Sequence, residues 1–88
     1  MSERFDEIRA EIAENDRAIV AAVNHRLELV TELWQLKEQL GLDTFDPDRE
    51  QRLRDGLAAA NTGRLSASGL DRLVTDILDL TKRELGAD

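Results

Sequence analysis

Three cations occupy positions of this sequence where a helix would be expected to carry apolar residues. Alternate steps of three and four residues from position 9 to position 40 define one face of a helix, which we call the seam. Arg9, Arg26 and Lys37 lie on the seam, whose other members are mostly apolar. Because removing an unpaired cation from water is costly, an anion is expected to meet these side chains. The seam consists of Arg9, Ile12, Asp16, Ile19, Val23, Arg26, Val30, Leu33, Lys37 and Leu40.

The spacing of Arg26 and Lys37 suits the binding of a small anion. Eleven residues correspond to about three helical turns and roughly 16 Å, with only about 20° of rotation. Val30 and Leu33 lie between the two cations and would form an apolar floor. Salt bridges to acidic residues of a neighbouring helix explain the same pattern, so both interpretations stay open. Arg9 would lie about 25 Å from Arg26 and could reach such a site only in an antiparallel second copy of the chain.

Composition excludes several other classes of function. The chain has a net charge of −7 and an isoelectric point near 4.6, so it lacks the basic surface that nucleic-acid binding requires. It has no cysteine and a single histidine, His25, which argues against disulfides, thiolate chemistry and a zinc site. No apolar run approaches the length of a membrane span or signal peptide. We therefore expect a soluble cytoplasmic protein.

One very long helix is predicted to carry all three cations. Ser2 is a candidate N-cap, and neither glycine nor proline occurs before Gly41. Such a helix would exceed about 50 Å, more than a compact globule of 88 residues can cover. We therefore expect residues 1–88 to form a single all-α domain whose first helix is buried by a second copy of the chain.

A second helix is predicted from Pro47 to about Ala60. Gly41 ends the first helix, a short loop with Phe45 as its apolar anchor follows, and Asp46 and Pro47 are typical of an N-cap and a first helical position. Leu53 and Leu57 are expected to be buried. Arg49 and Glu50 then lie in the first turn, pointing back toward the loop, although this capping motif also has a purely structural interpretation.

A third helix is predicted after Leu65, ending near Gly86. Ser66 or Ser68 could cap it, the latter together with Asp71. Two polar residues, Thr81 and Glu84, continue its apolar face; a threonine there usually donates to a carbonyl of its own helix, whereas a carboxylate needs a partner or solvent. The apolar face comprises Leu70, Leu73, Val74, Ile77, Leu78 and Leu80.

Taken in order, these residues resemble the all-helical class, type II, of chorismate mutase. The resemblance covers nearly the whole chain and rests on Arg9, Arg26 and Lys37, followed by the motif Asp46-x-x-Arg49-Glu50. In that family two chains interlock through their long first helices, and each active site takes one arginine from the partner. The resemblance thus implies an intertwined homodimer with three helices per chain.

The resemblance also implies a role for each of these residues. Arg26 and Arg9 of the partner subunit would clamp the two carboxylates of chorismate. Lys37 would lie near the ether oxygen. Glu50 would accept a hydrogen bond from the ring hydroxyl, with Asp46 as a second contact.

The remaining site residues include one departure from the family. Arg49 would add positive potential, and Thr81 matches the family's serine or threonine contact. The family then has Gln or Glu at the position of Leu85, and Glu84 lies one residue earlier, about 100° away around the helix. Glu84 is the candidate substitute, and it would help only in its protonated form, as a hydrogen-bond donor.

The implied reaction explains why no nucleophile, metal or cofactor is expected. Chorismate becomes prephenate, in aromatic amino-acid biosynthesis, by a unimolecular [3,3] rearrangement that needs a held conformer and stabilisation of charge on the ether oxygen. Two alternatives remain: an isochorismate-pyruvate lyase of the same fold, and a helical dimerisation or regulatory domain without turnover. The sequence leaves open whether a larger enzyme of the shikimate pathway binds and activates this domain.

Overall fold

Three helices account for most of the chain. The computed structural model describes residues 2–43 and 46–86, and in these ranges it contains α1 (Glu3–Leu40), α2 (Pro47–Ala60) and α3 (Ala67–Leu85) and no strand. This confirms the prediction of an all-α chain with one long and two shorter helices. Phe45, the expected loop anchor, lies outside the described residues. The chain divides into two compact units, Met1–Leu33 and Trp34–Asp88.

Local chemistry sets both ends of α1. The Ser2 hydroxyl oxygen accepts a hydrogen bond from the Arg4 backbone N–H at 3.1 Å, so Ser2 caps the helix as predicted. Gly41 has a φ of 70°, and the Leu42 N–H donates to the Lys37 carbonyl at 2.8 Å. A left-handed residue with such a closing bond is a common helix ending, and glycine adopts it without steric cost.

The first unit, Met1–Leu33, has little to bury its own apolar side chains. Apart from the cap, its described residues belong to α1, and Ile12, Ile19 and Val20 are 55%, 53% and 61% exposed. Its ion pairs, such as Arg17 with Glu14 at 2.8 Å, are exposed and contribute little to stability. A helix without packing is marginally stable, so this apolar surface needs a further surface to cover it.

The second unit, Trp34–Asp88, has a small core where α2 and α3 meet. Val74 is 1% exposed and Thr81 is 6% exposed. Two residues expected in the core are not buried: Leu57 is 36% exposed and Leu73 is 48% exposed. The predictions for these two were wrong because two helices bury only the narrow stripe along which they touch. The predicted apolar residues that are half-buried are Leu53, Leu70, Ile77, Leu78 and Leu80.

The ends of α3 resolve the choice between two caps. Ser66 is the N-cap, and its hydroxyl accepts from the Gly69 N–H at 3.0 Å. A Cβ at Gly69 would lie 3.0 Å from both the Leu65 side chain and the Ser66 hydroxyl, which explains a glycine in this first turn. Gly86 ends the helix with a φ of 68°, as expected. Among the described residues no helix is long and apolar enough to cross a bilayer.

Candidate active site

The two seam arginines of the first unit have different surroundings. Arg26 is half-buried, and so are its neighbours Val23 and Val30. Arg9 is exposed, and its guanidinium carbon lies 4.8 Å from the ring centroid of Phe5, one turn earlier. Stacking uses the flat face of a guanidinium, whereas hydrogen bonds to an anion use the N–H groups in its plane. Phe5 therefore holds the Arg9 guanidinium by its flat face and leaves the in-plane N–H groups in a suitable orientation for an anion.

Lys37 occupies the last turn of α1 in the second unit. Its side chain is half-buried, while its backbone carbonyl accepts the closing bond from Leu42. A cation in the final turn interacts favourably with the negative end of the helix dipole. Leu33 and Trp34, just before it on α1, are half-buried as well. Lys37 is thus partly withdrawn from solvent at the end of the helix.

The first turn of α2 gathers three of the predicted site residues. Asp46 caps the helix, with its Oδ1 accepting from the Arg49 N–H at 3.2 Å and its carbonyl accepting from the Glu50 N–H at 3.1 Å. Asp46 and Glu50 are half-buried, and Arg49 is exposed. The predicted N-cap is confirmed. The same contacts fix where the side chains of Arg49 and Glu50 leave the helix.

Of the three residues considered at the end of α3, Thr81 and Leu85 are at least partly buried and Glu84 is exposed. Thr81 is buried, and its hydroxyl donates to the Ile77 carbonyl at 2.8 Å, as the sequence predicted. Leu85, one turn after Thr81, is half-buried. Glu84 is exposed. The side of α3 that carries Thr81 therefore continues with Leu85, not with the Glu84 carboxylate.

The structure adds two residues near these sites that the sequence pattern did not indicate. Phe5 stacks on Arg9, and Arg54 of α2 donates hydrogen bonds to α3. Phe5 could have been found from its spacing, since residues four apart are neighbours on a helix surface. Arg54 could not be assigned a partner from the sequence, because its acceptors lie 17 and 21 residues away and depend on how α2 and α3 pack.

Comparisons with known proteins agree on one family. The family model described as chorismate mutase type II matches residues 8–84. A curated chorismate mutase of Methanocaldococcus jannaschii is 36% identical over 55 residues, which cover 62% of this chain and 56% of that protein. The chain therefore spans little more than half the length of this curated relative.

Solved structures extend the similarity to nearly the whole chain. Chorismate mutase from Thermus thermophilus, in the structure described as form I, superposes with a TM-score of 0.83 at 30% identity, covering 90% of this chain and 99% of that one. The form II structure gives a TM-score of 0.82 at 30% identity, with 90% of each chain covered. The matched fold is the three-helix arrangement described above.

Proposed function

Since the chain belongs to the type II chorismate mutase family, we propose that it is an isomerase that rearranges chorismate to prephenate, with residues 1–88 acting as one domain. The observation that carries this proposal is that two cations inside the matched region are half-buried, Arg26 in the first unit and Lys37 in the second. The family match favours this reaction over the isochorismate-pyruvate lyase and over a domain without turnover. The reaction belongs to aromatic amino-acid biosynthesis.

Substrate binding depends on two guanidinium groups in this proposal. Chorismate carries two carboxylates, and a guanidinium can meet each of them with two parallel hydrogen bonds. Arg26 supplies one contact and Arg9 of the partner subunit supplies the other. Holding both ends of the substrate favours the chair-like conformer in which the reacting atoms are close, which lowers the entropic part of the barrier.

Charge stabilisation falls to Lys37 and the start of α2. As the ether bond breaks, negative charge grows on its oxygen, and the Lys37 ammonium stabilises that charge more in the transition state than in the substrate. Glu50, half-buried in the first turn of α2, accepts from the ring hydroxyl. Asp46 contributes by capping the turn and as a second contact, and exposed Arg49 adds positive potential.

Thr81 is the proposed substrate contact on α3, and its present hydrogen bond limits how it can act. Its hydroxyl proton is given to the Ile77 carbonyl, so donating to a substrate carboxylate requires that bond to be exchanged. Glu84, if it takes the place of the family's Gln or Glu, must reach the site from an exposed position at the end of α3.

A homodimer would supply the surface that α1 lacks. The exposed large apolar residues of this helix are between 41% and 71% exposed, so covering each contributes roughly half of the 1.5 to 3 kcal/mol that full burial of such a side chain gives. An antiparallel pair of α1 helices would bury them and bring Arg9 to the partner's Arg26. An activating partner enzyme and a cytoplasmic location stay predictions. The exposed apolar residues of α1 are Phe5, Ile8, Ile12, Ile19, Val20, Leu29, Leu36 and Leu40.

The proposal is tested by following the loss of chorismate absorbance and identifying the product. We expect prephenate, and a loss of turnover by orders of magnitude in Arg26→Ala. Arg17→Ala is the matched control, because Arg17 is an exposed arginine of the same helix that pairs with Glu14. A folded protein that leaves chorismate unchanged, or one that releases pyruvate from isochorismate instead, contradicts the proposal.

A further inference from the structure

Arg54 joins α2 to α3 through both terminal nitrogens of its guanidinium. Nη1 donates to Asp71 Oδ1 at 2.7 Å and to the Asp71 carbonyl at 3.4 Å, and Nη2 donates to Thr75 Oγ1 at 3.1 Å. The Arg54 side chain is 27% exposed, whereas that of Asp71 is 71% exposed. Solvent therefore screens the ion pair, which contributes little to stability. What the contact provides is the fixed geometry of its hydrogen bonds.

This contact selects one axial alignment of the two helices. Apolar side chains pack acceptably after a helix slides by a turn, because their contacts have no fixed direction. A planar guanidinium that meets two acceptors one turn apart allows a single alignment. Asp71 and Thr75 are such a pair, since they are four residues apart on α3.

The alignment decides which part of α3 lies beside the first turn of α2. Only residues 61–66 connect the two helices, and such short connections join antiparallel neighbours. Both helices rise about 1.5 Å per residue. In an antiparallel pair, a residue some number of positions before Arg54 on α2 therefore has the same axial height as the residue equally far beyond the contact on α3. Eight residues back from Arg54 is Asp46, and eight residues beyond the midpoint of Asp71 and Thr75 is Thr81. Thr81 is thus brought level with the start of α2.

We propose that Arg54 is a positioning residue that sets the axial register of α3 on α2 and so places Thr81 against the first turn of α2. The proposal rests on the proposed function, because Thr81 and Glu50 matter to turnover only if the chain acts on chorismate. Arg54 itself does not contact the substrate in this proposal.

The first test compares Arg54→Met with Arg54→Lys and with Arg72→Met as a matched control. Methionine has a similar length without donors, and lysine can satisfy one acceptor at a time. Arg72 is a suitable control because it pairs with Asp76 at 3.4 Å on the same helix and both side chains are exposed. Because small misplacements at a site are costly, we expect kcat to fall about 10- to 100-fold in Arg54→Met, with a smaller change in KM. Arg54→Lys should recover part of kcat, and Arg72→Met should match the parent.

A double-mutant cycle with Thr81→Ala separates positioning from general stability. If Arg54 acts by placing Thr81, then Thr81→Ala should change kcat/KM in the parent and much less in Arg54→Met. Its effect in Arg72→Met should equal that in the parent. Should Arg54→Met fail to fold, Thr75→Val removes one acceptor and is measured in the same cycle. A lower melting temperature with parental kcat, or an additive cycle, overturns the proposal.

A distance measurement makes the test independent of turnover. The chain has no cysteine, so spin labels attached after Asp48→Cys and Arg83→Cys, both at exposed positions, report the separation of α2 from the end of α3. With labelled chains diluted in unlabelled ones, we expect one narrow distance distribution in the parent and a broad one in Arg54→Met. An unchanged distribution overturns the register role. If the distance distribution broadens in Arg54→Met but the parent protein leaves chorismate unchanged, the register role of Arg54 is supported and only the proposed function is refuted.

Discussion

Subunit exchange between two inactive variants gives the sharpest test of a shared active site. Arg9→Ala and Arg26→Ala should each lower kcat/KM while the protein stays helical, because alanine is the best helix former and neither side chain is part of the core. Arg26 is half-buried among apolar residues, where a charge-assisted contact to a carboxylate contributes about 2 to 4 kcal/mol to transition-state binding. That corresponds to a loss of roughly 30- to 900-fold.

The magnitude of the recovery follows from the geometry of a symmetric dimer. If each site takes Arg9 from one chain and Arg26 from the other, a mixed dimer has one site with both lesions and one intact site. Random exchange of equal amounts makes about half of the dimers mixed, so about a quarter of all sites should be intact. Chorismate turnover, measured after exchange has been verified with mass-labelled chains, should therefore return to about a quarter of the parental rate.

A second mixture controls for nonspecific recovery. Arg26→Ala mixed with Lys37→Ala should stay inactive, because in the proposed site both residues come from the same chain and a mixed dimer then has one lesion in each site. Equal recovery in both mixtures would refute this division of residues between subunits. No recovery with Arg9→Ala and Arg26→Ala, despite verified exchange, would mean that both arginines serve the same chain's site.

Three further predictions concern assembly, capping and the end of α3. Sedimentation should give a mass near twice 9.9 kDa, and a stably folded monomer at micromolar concentration would contradict the dimer. Asp46→Ala should lower the free energy of unfolding by about 1 kcal/mol in thermal denaturation, whereas Asp46→Asn should keep most of it because asparagine also caps helices. If Glu84 is the hydrogen-bond donor to the ether oxygen, Glu84→Gln should raise turnover of chorismate, because an amide always carries a donor whereas a carboxyl group donates only in its protonated form. A silent Glu84→Gln, together with a several-fold gain in Leu85→Gln, would show instead that the native site lacks a donor there.

Local residue patterns were enough to predict the three helices and most of their ends. Ser2, Gly41, Asp46 and Gly86 mark starts and stops through contacts with residues only a few positions away, whereas the choice of Ser66 over Ser68 came from the structure. Such contacts depend on local backbone geometry, which residue type strongly constrains. The family was also readable from the sequence, because the order and spacing of the seam cations and the α2 motif do not depend on packing.

Which side chains become covered depends on how the helices pack. Leu57 and Leu73 fit the apolar pattern of their helices and yet are exposed, since periodicity shows which face is apolar but not which strip of it meets a neighbour. The partners of Arg54 could likewise be known only once α2 lay against α3. Contacts across the chain depend on the register and rotation of packed helices, and several registers satisfy the same apolar pattern until directional hydrogen bonds select one.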